Sequence, residues 1–189
     1  MKQAKILTEK ELKKVIDYIE AFDRYAERNK AIVLLTHYCG FRIGEIANLK
    51  VSDVANEFSE VVDVIHLTAE QTKGSRSRRV FVSKKAKAVL KKYLQSDLSV
   101  IQQSYLFQTQ KSKRFNTNAL TTLIKRLYER VGIVGASSHS GRRTFITKLA
   151  TSGVNVRVIA EAVGHSNISI TNRYIEINDD LIGNAVELV

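Results

Sequence analysis

The chain has 189 residues and a single cysteine, Cys39, inside an apolar run, which excludes a disulfide framework and a cysteine-rich zinc site. Hydrophobic residues make up 44% and charged ones 26%, with a formal net charge of +11, so the chain reads as a globular domain rather than a disordered one. No apolar run approaches the roughly 20 residues of a membrane span and no secretory leader is visible, which makes the cytoplasm the expected address.

Thr8 and Glu11 are spaced as a reciprocal helix cap, with Leu7 and Leu12 as its hydrophobic staple, and they predict a first helix over 8–27. Leu12, Val15, Ile16, Ile19 and Phe22 recur along it at helical spacing. A second, mostly buried helix is expected over 29–39, ended by Gly40, and a short one over 43–49. Val61 to Leu67 and Arg79 to Val82 are β-rich runs around a basic segment with Gly74, which reads as a hairpin with a long tip. Helices are then expected over 84–95 and 117–131, with a minor strand at 104–108 between them. Three further helices are expected over 140–151, 155–163 and 168–175, with Gly153 and Gly164 at their breaks. The tail, 179–189, has Leu181, Ile182, Ala185, Val186 and Leu188 on one side of a helix. The pattern is α+β, mostly helical, with a small antiparallel sheet in a single domain.

The charge is concentrated. Residues 71 to 160 hold nineteen Lys and Arg against two acids, Asp97 and Glu129, a net of +17. A one-signed field over half a chain is a footprint for a polyanion, and nucleic acid is the strongest candidate. Arg42 follows an apolar helix, where a charge needs a partner; a salt bridge to Glu45 is the plain alternative. Lys73 lies at the hairpin tip. His139 and Arg142 share one helical face. His165 follows Gly164 at a helix boundary, and Tyr174 closes a short amphipathic segment. The four histidines have no recognised metal-ligand spacing, two acids in the basic half do not furnish a two-metal site, and no phosphate-cradling glycine loop is present. No cofactor is expected.

The order of these residues resembles the catalytic domain of the tyrosine recombinases, the phage integrase family. Residues 34 to 49, Leu34 through Gly40-Phe41-Arg42 to Leu49, are similar to the segment around that family's first arginine, with its acidic companion at Glu45. Thr72-Lys73-Gly74 matches the hairpin lysine. His139-Ser140-Gly141-Arg142-Arg143 matches the His-x-x-Arg pattern, and Gly164-His165 through Tyr174 supplies the second histidine and a tyrosine nine residues later. Many members carry Asp-Leu where this chain has Ser140-Gly141, and often a histidine where it has Arg143. The resemblance implies a free-standing catalytic domain over 1–189, without the family's usual N-terminal DNA-binding domain, as a fragment or a naturally short enzyme.

The resemblance further implies site-specific recombination through a covalent 3′-phosphotyrosine at Tyr174. Arg42 and Arg142 would clamp the phosphate, His139 would act as base, Lys73 as general acid, and His165 as donor. Arg76, Arg78, Arg79, Arg143 and Arg173 are the expected DNA contacts. Double-stranded DNA is the implied partner, with a free monomer that assembles on paired sites, the tail packing in trans on a neighbour or in cis against its own domain, and accessory DNA-bending proteins as further partners. From a different class, residues 154–175 also read as a helix-turn-helix, and the alternative is a non-catalytic DNA-binding regulator.

Overall fold

Thr8 opens the first helix as its sequence predicts. In the computed structural model, which describes residues 3–72, 76–96, 100–101, 104–174, 182–183 and 186–187, helix α1 spans Glu9–Phe22. Thr8 Oγ1 accepts from the Glu11 amide at 3.2 Å and Glu11 Oε2 accepts from the Thr8 amide at 2.9 Å. Leu7 and Leu12 are both buried beside this cap. The helix stops earlier than 27 because Asp23 offers the backbone another partner: its carboxylate accepts from the Tyr25 amide at 2.9 Å and from Asn29 Nδ2 at 2.7 Å. Phe22, expected on the core face, is left 76% exposed at the helix end.

Helix α2 (Ala26–Tyr38) is the central post. Its residues 29 to 37 are all buried, and α1, α5 (Lys84–Ser96) and α7 (Ser140–Thr151) pack around it. Gly40, at φ +64°, turns the chain out of α2 into α3 (Ile43–Asn48) and α4 (Val51–Val54). A hairpin follows, β1 (Val64–Leu67) against β2 (Arg78–Phe81), in antiparallel register with Ile65 opposite Val80 and Leu67 opposite Arg78. The period of two puts Ile65, Leu67, Arg78 and Val80 on one face of the ribbon, the inward one. The expected strand at 104–108 amounts to one isolated bridge, Lys50 to Tyr105. Helices α6 (Thr117–Arg130), α8 (Val156–Val163) and α9 (Ile168–Asn172) complete the mostly helical α+β architecture that the periodicity predicts.

A large apolar core joins α1 to α6 and the hairpin, and a smaller cluster of Ile146, Ala150, Ile159 and Val163 joins α7 to α8. Of the apolar tail face, Leu181, Ala185 and Leu188 lie outside the described residues, while Ile182 and Val186 are exposed. Among the described residues no helix is long and apolar enough to cross a membrane.

Helix α7 meets α2 at Gly141, and this explains the departure from Asp-Leu at 140–141. Ser140 is fully buried, its Oγ accepting from the Ser137 amide at 2.9 Å. A Cβ added at Gly141 would overlap Thr36 Oγ1 and lie 2.7 Å from Thr36 Cβ. Gly141→Ala should therefore destabilise the protein by about 1–3 kcal/mol, the usual cost of overpacking, measured by urea unfolding. An unchanged midpoint would mean that the two helices do not approach this closely.

Candidate active site

Helix α8 ends against three arginines. Gly164 adopts the left-handed conformation, φ +65°, and the His165 amide bonds back to the Ala160 carbonyl at 2.9 Å, a common way to close a helix. The last carbonyls then have no intrahelical partner, and they carry the negative end of the helix dipole. Three successive ones are each taken by a different guanidinium. Arg78 Nη1 donates to Ala162 O at 3.0 Å, Arg142 Nη2 to Val163 O at 2.6 Å, and Arg42 Nη2 to Gly164 O at 2.7 Å. Arg142 also donates Nη1 to Gly40 O at 2.6 Å. The three arginines come from β2, α7 and the turn before α3, so three remote segments meet on one helix terminus.

One carboxylate balances them. Glu45, buried at 1% exposure, accepts four hydrogen bonds, two at each oxygen. Arg42 Nη1 (2.9 Å) and Arg78 Nε (3.0 Å) reach Oε1, while the Arg42 amide (2.7 Å) and Arg78 Nη2 (2.7 Å) reach Oε2. Burial alone would raise its pKa, but the hydrogen bonds and charge of Arg78, then the Arg42 amide, hold it below the ordinary carboxylate range. The plain reading of Arg42 as a salt-bridge partner of Glu45 is thus correct and incomplete, because Arg42 stays 28% exposed on its other side. Three cations against one anion leave this corner with a surplus of two positive charges. Burial, and then repulsion from Arg42, push the Arg142 pKa down.

His165 sits in that field. Its Nδ1 is 2.8 Å from the hydroxyl of the fully buried Thr171, and burial followed by Arg142, Arg42 and Arg78 pushes its pKa down to about 4. Its ring stacks on Tyr174, with centroids 6.0 Å apart and an interplanar angle of 22°. Arg42, His165, Arg76 and Arg78 line one cleft; His139, Arg143, Arg173 and Tyr174 line the next, and Ile170 of α9 borders both. The tyrosine thus shares a cleft with the exposed His139, at the start of α7, while Arg42 and His165 face the neighbouring one and Arg142 is buried.

Lys73 lies outside the described residues. Arg76, Arg79 and Arg173 are exposed, as DNA contacts would be. Arg78 turns inward: its side chain is only 7% exposed and bonds to Glu45 and Ala162. Arg143 is half-buried, with Nη1 on the Ala4 carbonyl at 2.8 Å and its Cζ 6.0 Å from the Tyr174 ring. Sequence reasoning missed Thr171 and the inward-facing role of Arg78. For Arg78 the signal existed, since it precedes the core residue Val80 by two in a strand. Helix α9 has five residues, too short for a recognition helix, which disfavours the helix-turn-helix alternative. Among the described residues no three His, Cys, Asp or Glu side chains gather to hold a metal.

Comparison with known proteins gives the family and the fold. The sequence profile of the phage integrase family matches residues 5–180. Tyrosine recombinase XerA of Pyrococcus horikoshii is 30% identical over 186 residues, covering 97% of this chain and 60% of the relative. Tyrosine recombinase XerD of Corynebacterium glutamicum is 32% identical over 157 residues, covering 81% and 49%. This chain therefore spans about half to three-fifths of the length of these relatives. A crystal structure of XerA recombinase superposes with a TM-score of 0.78 at 28% identity, over 100% of this chain and 66% of that one. The XerH site-specific recombinase bound to its difH substrate shares the fold, with a TM-score of 0.73 at 21% identity over 98% of this chain and 54% of that one.

Burial and then the arginine cluster set a titration. His165 should stay neutral down to about pH 4 in the free protein, whereas an ordinary histidine is half-protonated near pH 6.5. Side-chain NMR of the imidazole across pH 3.5–8 measures this. A midpoint at or above 6.5 would mean that the imidazole is neither buried beside the arginines nor close to them as described.

Proposed function

The chain belongs to the phage integrase family, and we propose that it cuts and rejoins double-stranded DNA at specific sites through a covalent 3′-phosphotyrosine at Tyr174. The observation that carries this reading is the convergence of Arg42 and Arg142 on the end of α8, beside a neutral His165 stacked on Tyr174. A phosphodiester carries one negative charge, and its pentacoordinate transition state carries a second. The two-charge surplus around Glu45 matches that state better than the ground state, which is what catalysis requires.

In this reading Arg42 and Arg142 each donate to the non-bridging oxygens. Thr171 donates to His165 Nδ1, so that the imidazole proton sits on Nε2 and is offered to the phosphate. His139 takes the tyrosine proton as the phenolic oxygen attacks phosphorus. The bond from phosphorus to the 5′ oxygen breaks, and that oxygen leaves with a proton from Lys73. A 5′ hydroxyl attacking the phosphotyrosine reverses these steps and reseals the strand without an external energy source. The scissile phosphate has to engage groups from both clefts, which α9 separates.

Arg76, Arg79 and Arg173 would neutralise flanking phosphates, and the basic half of the chain would supply most of the affinity. The co-structure of XerH with its difH substrate supports DNA as the partner. We take the chain as one catalytic domain, monomeric when free because a net charge of +11 repels its copies. It would assemble on paired sites, with the tail of exposed Ile182 and Val186 passed to a neighbour and DNA-bending proteins as accessories. The cytoplasm, where such DNA lies, follows from the same reading.

A duplex nicked close to the cleavage point loses its short leaving strand and traps the covalent intermediate. The parent protein should yield an adduct on a duplex carrying its target site. Tyr174→Phe should bind the same DNA within about threefold, since it keeps the basic surface, and form none. An adduct at parental level from Tyr174→Phe would remove Tyr174 as the nucleophile.

A further inference from the structure

We propose that Arg78 is a positioning residue for the phosphate clamp, acting through Glu45 and the end of α8 rather than on DNA. The inference rests on the strand-transfer reading above and adds to it a residue that no comparison assigns. Strand alternation starts the argument. Arg78 lies opposite Leu67 and two residues before Val80, on the hairpin's inward face, whereas Arg79 points outward to solvent beside Phe81. A guanidinium driven inward must find full partners or strongly destabilise the fold. Arg78 finds them: both oxygens of Glu45 at 3.0 and 2.7 Å, and the Ala162 carbonyl at 3.0 Å.

These bonds tie the hairpin to the two parts of the site that face the phosphate. Toward Arg42, Arg78 occupies one acceptor position on each Glu45 oxygen. Arg42 is thereby kept from closing bidentately on the carboxylate, and its Nη2 stays on Gly164 O. Arg78 is also the largest of the influences that keep the buried carboxylate ionised. Toward His165, the stem of Arg78 supports the last turn of α8. A Cβ added at Gly164 would lie 2.5 Å from Arg78 Cδ, so the glycine both adopts the left-handed turn and lets the backbone rest on this side chain. His165 is the next residue.

Two consequences separate this role from a DNA contact and from mere packing. Without Arg78, DNA affinity should hold while the chemical step slows. Glu45 should also take up a proton at higher pH, so that an acid limb enters the pH–rate profile. Arg42 and Arg142 are the other charged groups facing it, and both remain.

The test is single-turnover cleavage of the nicked duplex at saturating protein, from pH 5 to 9, with DNA affinity measured in parallel. Arg78→Met should slow cleavage at pH 7 by about 10²-fold, the scale for a disturbed preorganised donor, with affinity within about threefold. An acid limb should enter this range in the variant, whereas Glu45 gives the parent none there. Arg78→Lys restores the charge but not the two-pronged bond, and should recover about tenfold of the rate and lower the new limb in part. If Arg78→Met does not fold, the Lys variant still carries the test, through its new acid limb. Weakened affinity with an unchanged saturated rate would overturn the proposal in favour of a phosphate contact. A slower rate with no new acid limb would overturn it in favour of plain packing. Failure of the parent itself to form an adduct would instead sink the strand-transfer reading.

Discussion

A buried carboxylate that must remain charged is the constraint on which this site is built. Glu45 sits at 1% exposure, where ionisation is costly unless every lone pair is matched. Its four accepted hydrogen bonds come from two arginines and one backbone amide. To meet that demand the chain brings β2 and the turn before α3 together, although they are far apart in sequence. The arginines then bring more positive charge than one carboxylate can absorb. The carbonyls at the end of α8 take the remaining donors, and a bound anion would take the remaining charge. In the proposed function, stability and anion recognition therefore rest on the same few side chains.

Backbone geometry carries as much of the site as side chains do. Gly40 and Gly164 both adopt positive φ, at +64° and +65°. Each exposes a carbonyl to a guanidinium, Gly40 to Arg142 and Gly164 to Arg42. Neither can accept a side chain without displacing a neighbour, since a Cβ would fall 2.5 Å from Phe145 at Gly40 and 2.5 Å from Arg78 at Gly164. The glycines that punctuate the sequence as helix stops are thus also the points where arginines dock. Thr171 does comparable work on His165 from a fully buried position, and it decides which ring edge is offered outward.

Much of this was legible in the sequence, and what was not has physical reasons. Caps and periodicity located α1, α2, α3, α5, α6, α7 and α8 closely, because those signals act within a few residues. The break at Asp23 was not legible, since it depends on a side-chain bond to Asn29 across the turn. The strand expected at 104–108 shrank to a single bridge because its backbone bonds are split between the stretch around Lys50 and the Phe115 amide. The order of a family's motifs pointed to Arg42, Arg142, His165 and Tyr174, and the fold brings the two arginines to the end of α8, with the Tyr174 and His165 rings 6.0 Å apart. Arg78 was grouped with its exposed neighbours because a run of basic residues looks uniform in one dimension. Only the inward turn of the strand, paired with a carboxylate 33 positions away, separates it from Arg76 and Arg79.

The central claim is that the charge of Glu45, and not only its shape, organises the clamp. Glu45→Gln keeps the side chain's outline and removes that charge, so its single-turnover cleavage rate at saturating DNA is the most direct measurement. The account predicts a rate at least about 10²-fold below the parent, with DNA affinity within about threefold and a folded protein by thermal melting. A parental cleavage rate in that folded variant would contradict it.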